Sequence, residues 1–175
     1  PIATEPSPPI KTMPKATDPK PAVGVEEFSD GSYVCRPLGT GPFPGVLYNH
    51  GGLGTAVGGD VAGTCQALAQ AGYLARSEKR PETRPLAGHL DDVLDGLHRL
   101  RSHPDADATR IGVIGFSRGG LLTLQAAIDR PDDVHVAVLM APAQGKTVLE
   151  STLQRVSSLS APVHILVAEN DINQA

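Results

Sequence analysis

The chain has 175 residues, 40% of them hydrophobic, with 16 Pro, 19 Gly and a formal net charge of −4, and its sequence pI is near 5.8. This is enough apolar material for one packed domain and excludes disorder of the whole chain, while the acidic balance offers no basic field to gather nucleic-acid phosphates or anionic lipid. The longest apolar run, Val136 to Ala141, is far shorter than the roughly 20 residues of a membrane-spanning helix.

Residues 1–22 hold seven prolines (Pro1, Pro6, Pro8, Pro9, Pro14, Pro19, Pro21). Proline removes the amide donors that helices and sheets need, so this stretch reads as an extended arm or linker. The arm leans the expectation toward an exported protein, periplasmic or secreted. Residues 23–175 form the domain. Val23 to Phe28 and Tyr33 to Arg36 read as a hairpin around the turn signal Asp30-Gly31. Gly45 to Tyr48 reads as a buried strand entering the glycine-rich loop Asn49-His50-Gly51-Gly52. A helix is expected over Gly59 to Ala71, a short strand over Tyr73 to Ala75, and a charged loop from Ser77 to Pro85.

Leu86, Leu90, Val93, Leu94, Leu97 and Leu100 fall at helical spacing as one apolar stripe. Arg110 to Gly115 then reads as a strand, Ser117 to Asp129 as a helix stopped by Pro131, Val134 to Met140 as a strand, Val148 to Val156 as a helix, and Val163 to Ala168 as the last strand. A hairpin followed by strands alternating with helices predicts an α/β architecture, a mostly parallel sheet with helices on both faces, whose function gathers outside the carboxyl ends of the strands. Cys35 and Cys65 match no metal-ligand spacing and two thiols make no disulfide framework, so both are read as small buried apolar residues.

Gly115-Phe116-Ser117-Arg118-Gly119 fits G-x-S-x-G between a predicted strand and a predicted helix, the context of a nucleophile elbow. A serine there projects its hydroxyl above the sheet, and the flanking glycines let neighbouring backbone pass. The Arg118 amide opens the following helix and can face an oxyanion. A second donor is expected from the loop His50-Gly51-Gly52-Leu53-Gly54, at the amide of Gly51, Gly52 or Leu53. His50 itself is expected to shape the turn rather than act as base. Gly52, Gly54 and Gly58 between a strand and a helix also imitate a dinucleotide-binding loop, but no Tyr-x-x-x-Lys pair follows, the last tyrosine being Tyr73.

With its Gly-Pro-Phe-Pro lead at 41–44, its His-Gly-Gly at 50–52 and its Gly-Phe-Ser-Arg-Gly-Gly at 115–120, the chain from about residue 23 onward resembles the dienelactone hydrolase branch of the α/β-hydrolases. That resemblance implies the α/β-hydrolase fold, hydrolysis of a small-molecule ester or lactone, no metal or organic cofactor, and a nucleophile, acid and histidine in that chain order. The best-known members of that branch use cysteine; Ser117 here favours general ester hydrolysis. The implied acid position after the last strand matches Asp171, with Glu169 as the alternative. The six histidines, His50, His89, His98, His103, His135 and His164, all precede it. The base is therefore expected downstream of Ala175, with the closing elements of the fold. The competing reading is a non-catalytic binding protein on the same scaffold, lacking the general base.

Overall fold

The computed structural model describes residues 22–52, 56–81 and 86–169. The proline-rich stretch 1–21, Leu53 and Asp171 therefore lie outside the described residues. Seven strands form one sheet in the order β1-β2-β4-β3-β5-β6-β7. β1 (Val23–Glu27) and β2 (Tyr33–Pro37) form the expected hairpin, with Glu27 opposite Tyr33. Its turn is closed by the Phe28 amide on Ser32 O at 2.9 Å and by Gly31 at φ 83°, a conformation glycine adopts without steric cost. β3 (Phe43–Asn49), β5 (Ala106–Phe116), β6 (Val136–Met140) and β7 (Val163–Leu166) run parallel, as do β3 and β4 (Leu74–Glu78), while β2 meets β4 antiparallel.

Alternation along the strands assigns the helices to faces. Val34 and Leu74 enter the main core with Val93, Leu97 and Leu100 of α2 (Leu86–Arg101) and with Leu122 and Ala126 of α3 (Arg118–Asp129). Their sequence neighbours Cys35 and Ala75 point to the other face, where Cys65 and Ala69 of α1 (Val61–Gln70) cover them. From Leu90 to Leu100 the stripe of α2 is thus the core-facing side that its spacing predicts, the side chain of Leu86 lying outside the described residues. α1 starts where its sequence allows: Asp60 caps it, accepting from the Gly63 amide at 2.8 Å.

Four expectations need correction. β4 runs on to Glu78, through residues expected in a loop, because it lies between β2 and β3 and ladder partners on both sides hold it extended. Its charges neutralise each other locally: Arg76 meets Glu78 at 2.6 Å, and Arg99 of α2 meets the same carboxylate at 2.8 and 2.7 Å. β5 starts at Ala106, pairing with Phe43 ahead of a register shift between Pro44 and Gly45. The last helix is only α4 (Val148–Leu153), followed by a 3-10 turn over Val156–Ser158. Finally, Cys35 and Cys65 are disulfide-bonded, with Cα atoms 5.6 Å apart. Both are fully buried, as expected of small apolar residues, but only the packing of α1 on β2 brings them within bridging distance.

Candidate active site

β5 ends at Phe116 and α3 begins at Arg118, so Ser117 alone makes the turn. It does so at φ 53° and ψ −117°, a conformation that costs a non-glycine residue on the order of 1–3 kcal/mol and persists only when the surroundings over-determine it. Three backbone hydrogen bonds supply that constraint. The Ser117 amide donates to Met140 O at the end of β6 (2.8 Å), and Ser117 O accepts from the amides of Leu121 (3.2 Å) and Ala143 (2.9 Å).

The flanking glycines make the turn possible by close approach. A Cβ on Gly115 would stand 2.1 Å from Gly119 O, and one on Gly119 would stand 2.0 Å from Asn49 O. The first turn of α3 is therefore seated directly on the carboxyl end of β3. A buried side-chain bond, Asn49 Nδ2 to Thr123 Oγ1 at 2.9 Å, fastens the two.

The loop leaving β3 passes beside Ser117. A Cβ on Gly51 would meet Phe116 O at 3.0 Å and Ser117 Cβ at 3.1 Å. Gly51 and Gly58 exchange both backbone hydrogen bonds, at 2.7 and 3.0 Å, which closes the loop on itself. The Gly51 amide is thereby committed to Gly58 O, which removes Gly51 from the candidate oxyanion donors. The neighbouring Gly52, at φ 97° and with no room for a Cβ beside Ala56 O, has no backbone acceptor among the described residues. The Arg118 amide, the first of α3, has no intrahelical acceptor either, and Gly52 and Arg118 line the same cavity. A cavity of about 550 Å³ opens here, lined by Gly52, Ser117, Arg118, Leu121, Ala143, Gly145, Lys146 and Val148. It combines an apolar wall with two cations. A larger cavity of about 740 Å³ lies among the hairpin turn, β4 and α2, where Arg76, Glu78 and Arg99 already satisfy one another.

His50 is buried and spent structurally. Its Nε2 accepts from the Arg80 amide at 3.0 Å, so its Nδ1 carries the proton and donates to Gly51 O at 2.6 Å. Burial first, and the Arg80 guanidinium second, push its pKa down to about 4. A ring with its lone pair engaged and its other nitrogen donating holds the loop and takes no proton from Ser117. His89, also buried, has one ring nitrogen 2.7 Å from Pro81 O, and burial lowers its pKa. None of the six histidines lines the cavity at Ser117 among the described residues. Nor do three His, Cys, Asp or Glu side chains gather anywhere among those residues as metal ligands would.

β7 pairs with β6 so that Met140 stands beside Leu166, and the Ala141 amide donates to Leu166 O at 2.7 Å. The chain therefore leaves β7 at the edge of the sheet that carries Ser117, with Glu169 exposed just beyond it. Sequence reasoning missed Arg80, which lay in an apparently solvated charged loop, and the Ala141-to-Ala143 turn that receives Ser117 O. The positive φ of Ala141, 42°, has no sequence signal.

Comparison with known proteins adds the family. A family model described as the dienelactone hydrolase family matches residues 78–174. Dipeptidyl peptidase 8 of mouse and of human is 43% identical to the chain over 54 residues, 30% of this chain and 6% of either relative, so the chain spans only a small part of the curated relatives it matches. Among solved structures, a Klebsiella pneumoniae protein described provisionally as a dienelactone hydrolase superposes with a TM-score of 0.61 at 21% identity, covering 85% of this chain and 86% of that one. Esterase Est22 superposes with a TM-score of 0.62 at 22% identity, covering 83% of this chain and 63% of that one. At such identities the likeness establishes the shared fold.

Proposed function

The chain belongs to the dienelactone hydrolase family, and on that premise we propose that it carries the nucleophile of a serine hydrolase acting on carboxylic esters or lactones of small molecules. The observation that carries this reading is the forced conformation of Ser117, which lines a cavity together with Gly52 and Arg118, whose amides have no backbone acceptor among the described residues. In the reaction, Ser117 Oγ adds to the substrate carbonyl carbon while its proton passes to a base. The tetrahedral oxyanion is met by the amides of Arg118 and Gly52, with Leu53 next in the same loop. Collapse breaks the ester C–O bond, the leaving alkoxide takes the proton back from the base, and an acyl-enzyme remains. Water then repeats the sequence and frees Ser117.

Asp171, or Glu169 in its place, is the carboxylate that would orient the imidazole and stabilise its charged form. The imidazole is assigned to none of the six histidines, since none lines the cavity among the described residues. The same observation favours a second reading, in which the scaffold binds an ester or its acid without turnover.

The test is covalent labelling with a fluorophosphonate, the adduct mapped by peptide mass spectrometry, alongside p-nitrophenyl acetate hydrolysis. The adduct should fall on Ser117, and both labelling and hydrolysis should vanish in Ser117→Ala. Hydrolysis undiminished in that variant would remove Ser117 from the chemistry; a folded protein with neither label nor hydrolysis would favour the binding reading.

A further inference from the structure

Arg80 lies two residues beyond the end of β4 and is only 4% exposed. Everything it donates goes to one residue. Its backbone amide donates to His50 Nε2 at 3.0 Å, and its Nη2 donates to His50 O in a short hydrogen bond. His50 O is also part of the surface on which Gly119 is seated, since a Cβ there would stand 2.6 Å from it. The carbonyl is thus gripped between the Arg80 guanidinium and the first turn of α3, one residue before the Gly51–Gly52 segment.

The guanidinium is costly where it lies. Its Nε and Nη1 are buried with no hydrogen-bond partner among the described residues. Burial first, and the Arg118 cation second, disfavour its charge, while the Asp92 carboxylate favours it. A buried cation satisfied this incompletely contributes little net stability, and an apolar side chain of similar length would fill the space at less cost. What an apolar side chain cannot do is hold the His50 carbonyl.

We propose that Arg80 is a positioning residue: it fixes His50, and through His50 the Gly52 amide, at the place where that amide meets the oxyanion formed on Ser117. The inference rests on the function proposed above. Loss of the guanidinium leaves the backbone bond to Nε2 intact, so the loop keeps its shape but loses its anchor. A shift of about 1 Å in a positioned group can cost on the order of 100-fold in rate.

The test compares the full chain with Arg80→Met and Arg80→Lys, reading fluorophosphonate labelling of Ser117 as a saturating rate and a half-saturating concentration, and amide hydrogen exchange by NMR. Arg80→Met should lower the saturating rate about 10- to 100-fold with the half-saturating concentration within twofold, and Arg80→Lys, which restores one donor to His50 O, should recover most of it. Exchange at the Gly51 and Gly58 amides should quicken at least tenfold in Arg80→Met while Val113 and Leu139 in the sheet keep their protection. Unchanged exchange at Gly51 and Gly58 overturns the proposal, as does equal quickening throughout the sheet, which would make Arg80 a general stabiliser. Exchange is read without turnover, so a wrong assignment of Ser117, seen as labelling that survives Ser117→Ala, is distinguished from a wrong role for Arg80.

Discussion

Adding one methyl group at Gly119 tests whether the seat of α3 on β3 sets the geometry at Ser117. The alanine Cβ would stand 2.0 Å from Asn49 O and 2.6 Å from His50 O, where ordinary contact begins at 3.4 Å, so backbone must yield by about 1.4 Å. Neither obstacle is a flexible side-chain end. Overpacking of this kind costs about 1–3 kcal/mol, and alanine returns about 1 kcal/mol as the better helix former. Because the obstacle is backbone, the upper end of that cost applies, and the net loss reaches about 2 kcal/mol, which in a chain of this size lowers Tm by roughly 4–8 °C. The chemical effect should be larger, because α3 carries both Ser117 and the Arg118 amide away from Gly52; a displacement of about 1 Å corresponds to a loss of on the order of 100-fold. The assay is thermal melting together with the rate of fluorophosphonate labelling. Gly72→Ala is the control: nothing lies within 4 Å of its Cβ, but its φ of +98° is strained for alanine, so it should cost about 1 kcal/mol and leave labelling unchanged. A Gly119→Ala protein that melts within about 1 °C of the parent and labels at the parent rate would refute this packing account.

Two further predictions concern what holds the fold. His50 titrates near 4 in the folded protein instead of 6.5, because burial and then Arg80 disfavour its charged form, so between about pH 4 and 6.5 the unfolded chain binds the extra proton. Its contribution, about 3 kcal/mol by linkage, is complete above pH 6.5 and lost as pH falls toward 4; urea midpoints at pH 4.5 and 7 should differ in the parent and differ less in His50→Gln, where the lowered pKa of His89 leaves a dependence of the same sign, and a flat parent profile would contradict this. The Cys35–Cys65 bond spans 30 residues, which in the chain-entropy account stabilises by about 3–4 kcal/mol. Dithiothreitol should therefore lower Tm by roughly 10 °C in the parent and leave Cys35→Ala/Cys65→Ala unmoved, whereas two titratable thiols in the untreated protein would defeat the pairing.

The legible parts of the molecule are those whose cause is local. The α2 stripe, the Asp30-Gly31 turn and the strand–serine–helix unit around Ser117 each follow from spacing or from one residue's conformational freedom, and each is where the sequence places it. The misread parts depend on partners distant in the chain. Ser77 looks like the start of a loop, yet it is fully buried between Tyr33 and Tyr48 because β4 is an interior strand. The two cysteines look unrelated until α1 lies over β2. At the candidate site, the turn at Ser117 and the start of α3 at Arg118 follow from the motif, and which amide of the Gly51-to-Leu53 loop is left for a ligand does not. That choice depends on which amide the loop uses to close itself, and the Gly51–Gly58 pair is invisible in a string of glycines. Asp171 stays an expectation carried by the resemblance and by the course of β7.

The position of the site follows from the strand order. β3 and β5 are parallel neighbours, with Asn49 beside Gly115 and β6 on the far side of β5. Three adjacent carboxyl ends therefore deliver a glycine loop, a serine turn and the Met140 carbonyl to one edge, and no connection has to travel to bring them together. The glycines at 115 and 119 let the helix after β5 sit down on β3, so the same contacts that hold Ser117 at positive φ also bring the first turn of α3 beside the loop that leaves β3. Strain at Ser117 and the placement of α3 beside the Gly51–Gly52 segment are thus consequences of a single packing arrangement. This is why a methyl group at Gly119 is expected to act on the chemistry more strongly than on the fold.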